Sequence, residues 1–157
     1  MSTPPPTCDL CDRLARARRG EHPALIAVLP ESTVFLADTQ GCPGWCVLVL
    51  NDHAEHLDDL PLSRQERLFA DVAAVARAIR AVHGPVRINY ECLGNQSPHV
   101  HWHVIPRHAN DPTPRQAVWG WTPEALRGQM PESDRRGQIE ALRTTMTRSA
   151  LSAPERN

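Results

Sequence analysis

The strongest periodic signal in the chain lies between Ser63 and His83. There Leu68, Phe69, Val72, Val75, Ala76, Ile79 and Val82 recur at the spacing of one helix face. Ser63-Arg-Gln-Glu66 has the form of a capping box at its start, and Gly84-Pro85 ends it. Around this helix the apolar positions shorten into runs of strand length. Leu25–Pro30 and Thr33–Asp38, separated by Glu31-Ser32, predict a hairpin, and the turn cluster Gln40–Gly44 leads into a third strand over Trp45–Leu50. Val86–Glu91 and His99–Ile105, joined by a tight loop over Cys92–Pro98, predict another hairpin. Residues 109–116 read as loop. Thr122-Pro-Glu124 opens a C-terminal helix, and Ser133 is placed to cap another whose inner face is Ile139, Leu142 and Met146. The Arg-rich segment up to Gly20 reads as a short helix or a loop. Hairpins flanking one long helix give an α+β domain, an antiparallel sheet with helices packed on one side.

Composition narrows the function classes. The chain has 157 residues, most economically one domain, and a formal net charge of −1, so no overall field calls for nucleic acid or an anionic membrane. All 17 basic residues are Arg; with no Lys, a phosphate-loop lysine and Schiff-base chemistry are excluded. No run approaches the ~18 apolar residues of a membrane helix. The start, with its three consecutive prolines, has neither basic nor apolar leader character, so residues 1–7 are expected to be disordered and the protein cytoplasmic. Five cysteines, an odd number, argue against a disulfide scaffold, and Cys42, Cys46 and Cys92 read as small apolar core residues. His22, His56, His83 and His108 read as surface residues. Trp102, Trp119 and Trp121 read as packing or subunit contacts, with stacking on a nucleotide base as the alternative. Arg107 reads either as a partner for polyphosphate or as a solvated strand end.

The candidate chemistry is concentrated in His99-Val-His101-Trp-His103-Val-Ile105. On a strand, alternate residues share a face, so three imidazoles would stand in a row roughly 6.5–7 Å apart, with Val100, Trp102 and Val104 on the other face. Such a row can act as nucleophile, general acid or metal site. A neutral imidazole is a good nucleophile toward phosphorus when its other nitrogen is held by a hydrogen bond, and His101 has a neighbour on both sides. The loop Gly94-Asn-Gln-Ser-Pro98 could offer backbone N–H groups, Gln96 and Ser97 to phosphate oxygens. Cys8 and Cys11 have the spacing of half a zinc knuckle; the alternative is a reduced pair with no ligand. Three histidines alone would also suit a non-nucleophilic zinc site.

These residues resemble the histidine triad family, whose signature is His-φ-His-φ-His-φ-φ with φ apolar. The likeness extends over residues 8–120, through Phe35–Asp38, Pro43-Gly44, Val47–His53, the long helix and Ile88-Asn89, with residues 121–157 a C-terminal helical extension. It implies a nucleotidyl hydrolase or transferase that cleaves at the α-phosphate of a dinucleoside polyphosphate or nucleoside phosphoramidate. His101 would form a nucleotidyl-histidine. His103, Gln96 and Ser97 would contact the phosphate, Asp38 the ribose hydroxyls, and Asn89 would lie beside the phosphate site. The partners implied are a purine nucleotide and a second copy of the chain, the two sheets joining into one; neither membrane nor nucleic acid is implied. Some bacterial members complete a structural zinc site, which here would take Cys8, Cys11, His53 and His99, with no organic cofactor. The chain departs from the family at Trp45, where many members carry His after Pro-Gly, and in a loop one residue shorter before His99. The rival readings are a dinucleoside polyphosphate phosphorylase and a non-catalytic nucleotide- or zinc-binding interaction protein.

Overall fold

The computed structural model describes residues 8–152, so the expectation for residues 1–7 lies outside the described residues. Five strands, β1 (Leu25–Val28), β2 (Ser32–Leu36), β3 (Cys46–Leu50), β4 (Arg87–Glu91) and β5 (His101–Arg107), form one sheet in the order β1-β2-β3-β5-β4. All four pairings are antiparallel. The helices are α1 (Asp9–Arg18), α2 (Leu62–His83), α3 (Pro123–Arg127) and α4 (Glu132–Ser152). No helix among the described residues is long and apolar enough to cross a membrane.

The α+β architecture read from the sequence is present, and strand alternation explains its layers. Val34, Leu36, Cys46, Leu48 and Val104 face α2 and α4, where Val72, Val75, Ile79, Ile139, Leu142 and Met146 close the larger core. Ile79 and Leu142 are fully buried, so truncating either to Ala should cost about 2–5 kcal/mol. Phe35, Val47, Val49 and Ile105 face the other way and pack under α1 and the segment carrying Val118 and Trp121. The sheet is therefore covered on its second face too, by the shorter elements.

The long helix differs from expectation at its start. It begins at Leu62 with Pro61 as N-cap and no side-chain cap. Pro61 O accepts from Arg64 N and Gln65 N, which places Ser63 inside the first turn rather than ahead of it. Its end is as expected: Gly84 takes φ +56 and donates to Arg80 O. Phe69, counted on the apolar stripe, is half exposed, with its ring edge-on to Trp102 at 5.3 Å. Thr122 caps α3 through its side chain as predicted, whereas Ser133 lies inside the first turn of α4 and bonds the Asp134 carboxylate.

Two expected turn or end residues are internal. Glu31, read as hairpin turn, is 4% exposed and held by Arg64 and Arg67 of α2. Arg107, the last residue of β5, is neither a polyphosphate partner nor solvated. It is buried against Asp111 at 2.7 Å and also donates to Asn89 Oδ1 and to the Gln116 and Thr113 carbonyls, anchoring the 109–116 loop. Cys92 is exposed rather than core, and His22 and His83 are half-buried rather than surface residues. The outer edge of β1 is covered, since Arg143 of α4 donates to the Leu25 and Ile26 carbonyls. Strand β4 forms the opposite edge, and Val86 and Tyr90 are exposed there.

Candidate active site and metal centre

The histidine segment divides at His101. Strand β5 begins there, paired Val49↔His101 and Val47↔His103 with β3, while His99 precedes the ladder. His101 and His103 share the sheet face that α1 covers, their ring centroids 5.2 Å apart, closer than an ideal strand would place them. His99 is fully buried and stands among other partners.

Hydrogen bonds fix the tautomer of each ring. A carbonyl can only accept, so Nδ1 of His101, 2.7 Å from the His99 carbonyl, carries a proton, and Nε2 is the nitrogen on which a lone pair can reside. The indole of Trp45 can only donate, so its contact of 3.2 Å with Nδ1 of His103 makes that nitrogen the acceptor and leaves the proton on Nε2. His99 donates from Nε2 to the Leu50 carbonyl at 2.9 Å, which turns the Nδ1 lone pair toward the cysteines. One segment thus presents three imidazoles with three different hydrogen-bonding arrangements. Burial, with the neighbouring His101 as a second cause, pulls His103 down to about 4, so its ring is uncharged at neutral pH. Burial likewise lowers His99.

His101 and His103 line a cavity of about 480 Å³. Its walls include Trp45 and Val47 from the sheet, Gly94, Gln96 and Ser97 from the loop before the histidines, and Asp38 after β2. Asp9, Leu10 and Arg13 of α1 close one side, and Trp119 another. The fold therefore gathers His101, His103, Asp38, Gln96 and Ser97 around one space. Asn89 is not among its lining residues; its Oδ1 accepts from Arg107. Asp38 is largely exposed and paired with Arg13 at 2.8 Å. Ser97 donates to the carboxylate of Asp9.

Sequence reasoning missed Asp9, Arg13 and Trp119. The two charged residues lie on a segment left open between helix and loop, yet they stand four apart, the spacing that sets both on one helix face. Trp119, assigned to packing, is instead edge-on to both Trp45 and His103 and donates to Glu91 of β4.

Cys8, Cys11, His53 and His99 form a second cluster whose four candidate ligand atoms lie within 4.8 Å of one another. Nδ1 of His99 is 3.4 Å from Cys8 Sγ and 3.6 Å from Cys11 Sγ, and Nδ1 of His53 is 3.5 Å from Cys11 Sγ. Zinc–sulfur and zinc–nitrogen bonds of ordinary length at tetrahedral angles put S and N about 3.6 Å apart, so the donor set fits zinc. The Nε2 bond of His99 to the Leu50 carbonyl supplies the outer support that metal-bound imidazoles use. Without a cation, burial and the neighbouring Cys8 push Cys11 up to about 11, so a thiolate at Cys11 needs a metal to form at neutral pH.

Comparison with known proteins bears on the family and the fold. The HIT domain family model matches residues 19–110. A histidine triad protein from Bradyrhizobium japonicum is 27% identical with a TM-score of 0.68, over 83% of this chain and 95% of that one. One from Sinorhizobium meliloti is 25% identical with a TM-score of 0.71, over 88% and 97%. A zinc-bound histidine triad family protein from Mycobacterium smegmatis shares the fold at 19% identity and a TM-score of 0.68, over 94% and 98%. No curated protein matches the sequence.

Proposed function

The chain belongs to the histidine triad family, and from that premise we propose that it is a nucleotidyl hydrolase or transferase with His101 as nucleophile. Family membership supports a nucleotide-binding, hydrolase-type function in general. The observation that carries the finer reading is the hydrogen bond from His101 Nδ1 to the His99 carbonyl, which leaves an unprotonated Nε2 on a ring lining the cavity. A volume near 480 Å³ suits one nucleotide, with Asp38 for the ribose and the 94–97 loop for the phosphate.

In this reading His101 Nε2 attacks the α-phosphorus of a dinucleoside polyphosphate or nucleoside phosphoramidate. The N–P bond forms as the bond to the leaving group breaks, and the leaving group takes its proton from solvent. The Nε2–H of His103 donates to a phosphoryl oxygen, a role suited to a ring that stays neutral. Water then attacks phosphorus and gives up a proton to solvent, the N–P bond breaks, Nε2 regains its lone pair, and nucleoside monophosphate leaves. Zinc held by Cys8, Cys11, His53 and His99 would be structural, because four protein donors fill the tetrahedral set and leave no open position for substrate. The free β4 edge, opposite the β1 edge that Arg143 covers, supports the expected homodimer with a continuous sheet.

The test is incubation with adenosine phosphoramidate and with diadenosine tetraphosphate, following AMP release with and without inorganic phosphate. AMP formation supports the hydrolase. ADP formation that depends on phosphate would instead indicate a phosphorylase, and AMP binding without turnover a non-catalytic protein.

A further inference from the structure

We propose that α1 is a metal-clamped wall of the nucleotide cavity, with Asp9 and Arg13 as positioning residues through which metal occupancy sets nucleotide affinity. The inference rests on the nucleotide reading above. Helix α1 is ten residues long, too short to persist on its own propensity, and depends on what holds it. Leu10, Leu14 and Ala17 bury one stripe in the smaller core. At the N-terminal end the hold is the cluster itself: Cys8 and Cys11 face His99 and His53, which come from distant parts of the chain.

Asp9 lies between the two cysteines, and its carboxylate accepts from Ser97 Oγ at 3.0 and 3.2 Å, fixing the loop proposed to grip phosphate. One turn on, Arg13 donates to Asp38, the proposed ribose ligand, and its guanidinium lies over the Phe35 ring at 5.6 Å. The phosphate end and the ribose end of the cavity are thus each tied to the same helix face. His99 follows Ser97 by two residues, so the cluster draws α1 and this loop together from both sides. Loss of the metal leaves only thiol–imidazole hydrogen bonds across the same atoms. The helix then opens more often, and Ser97 and Asp38 lose their partners together.

The experiment compares the zinc-loaded full chain with chelator-treated protein, and both with an Asp9→Ala/Arg13→Ala double variant. AMP affinity is read by calorimetry and backbone order by amide hydrogen exchange. Chelation is expected to weaken AMP binding at least tenfold. Exchange should rise together in residues 9–18, 37–39 and 93–97, while β2, β3 and β5 stay protected. The double variant should keep its zinc, bind AMP about tenfold more weakly, and lose less than twofold more on chelation. Unchanged exchange in 37–39 and 93–97 on chelation would overturn the proposal. So would general loss of protection across the sheet, or a double variant that loses as much affinity on chelation as the parent. If the zinc-loaded parent fails to bind AMP, the nucleotide reading fails, and the exchange measurement still decides whether the metal controls this wall.

Discussion

The indole of Trp45 donates to Nδ1 of His103 at 3.2 Å, and the two rings meet edge-on with centroids 5.6 Å apart. The indole is a donor that can never accept, and so the tautomer of His103 is set by a neighbour in the wall of the same cavity. Trp45→Phe removes the N–H and keeps most of the apolar contact. Turnover of adenosine phosphoramidate is expected to fall about tenfold, roughly 1.4 kcal/mol, with KM little changed. Steady-state kinetics, with circular dichroism to confirm the fold, checks it. Unaltered kcat would show that the Trp45 bond has no part in catalysis.

The lowered pKa of His103 has a consequence for acid stability. In the unfolded chain the ring takes a proton below about 6.5; in the folded protein burial delays this to about 4. Between those values the unfolded state binds more protons, so stability falls as pH is lowered through this window, by up to about 1.4 kcal/mol per pH unit from this ring. Above the window the ring contributes no pH dependence. Urea denaturation of the parent and of His103→Gln at several pH values isolates the effect, because other groups cancel. The variant is expected to show a shallower slope between pH 6.5 and 4.

Arg107 and Asp111 form a buried pair, with side chains 5% and 3% exposed. Arg107→Met leaves the Asp111 carboxylate without its partner and the Gln116 carbonyl without its donor, while the Thr113 carbonyl keeps the Gln116 N–H. A loss of about 3–5 kcal/mol in unfolding free energy is expected. A smaller loss, under about 1 kcal/mol, would mean that the loop re-pairs around the gap.

Strand β4 is the free edge of the sheet, with Val86 67% and Tyr90 50% exposed beside it. Charges placed there would face their own copies across a two-fold interface. Val86→Glu with Tyr90→Glu is therefore expected to shift the protein to monomer in sedimentation at micromolar concentration. A double variant that sediments like the parent would place the subunit contact elsewhere.

Much of this architecture was legible because period and turn chemistry agree. The α2 stripe, Gly84, the two hairpins and Ile139-Leu142-Met146 all read directly from spacing. Spacing alone treats His99, His101 and His103 alike, and their division into a metal ligand, a nucleophile and a phosphate contact comes from the family resemblance rather than from the strand pattern. The carbonyls of Leu50 and His99 and the indole of Trp45, brought in by tertiary packing, tell their tautomers apart. Arg107 misled for a related reason, since a charged strand end reads as solvated until the loop that folds back over it is seen. Helix α1 was obscured by its composition. Three arginines and two aspartates mask an inner stripe of only three residues, whose partners lie across the sheet.

Intact-protein mass spectrometry of the protein quenched during turnover of adenosine phosphoramidate tests the central claim most directly. With His101 as nucleophile, a transient mass increase of one adenylyl group is expected, located on His101 by peptide mapping, with neither adduct nor AMP release from His101→Ala. Undiminished AMP release by His101→Ala, with no adduct on the parent, would contradict it.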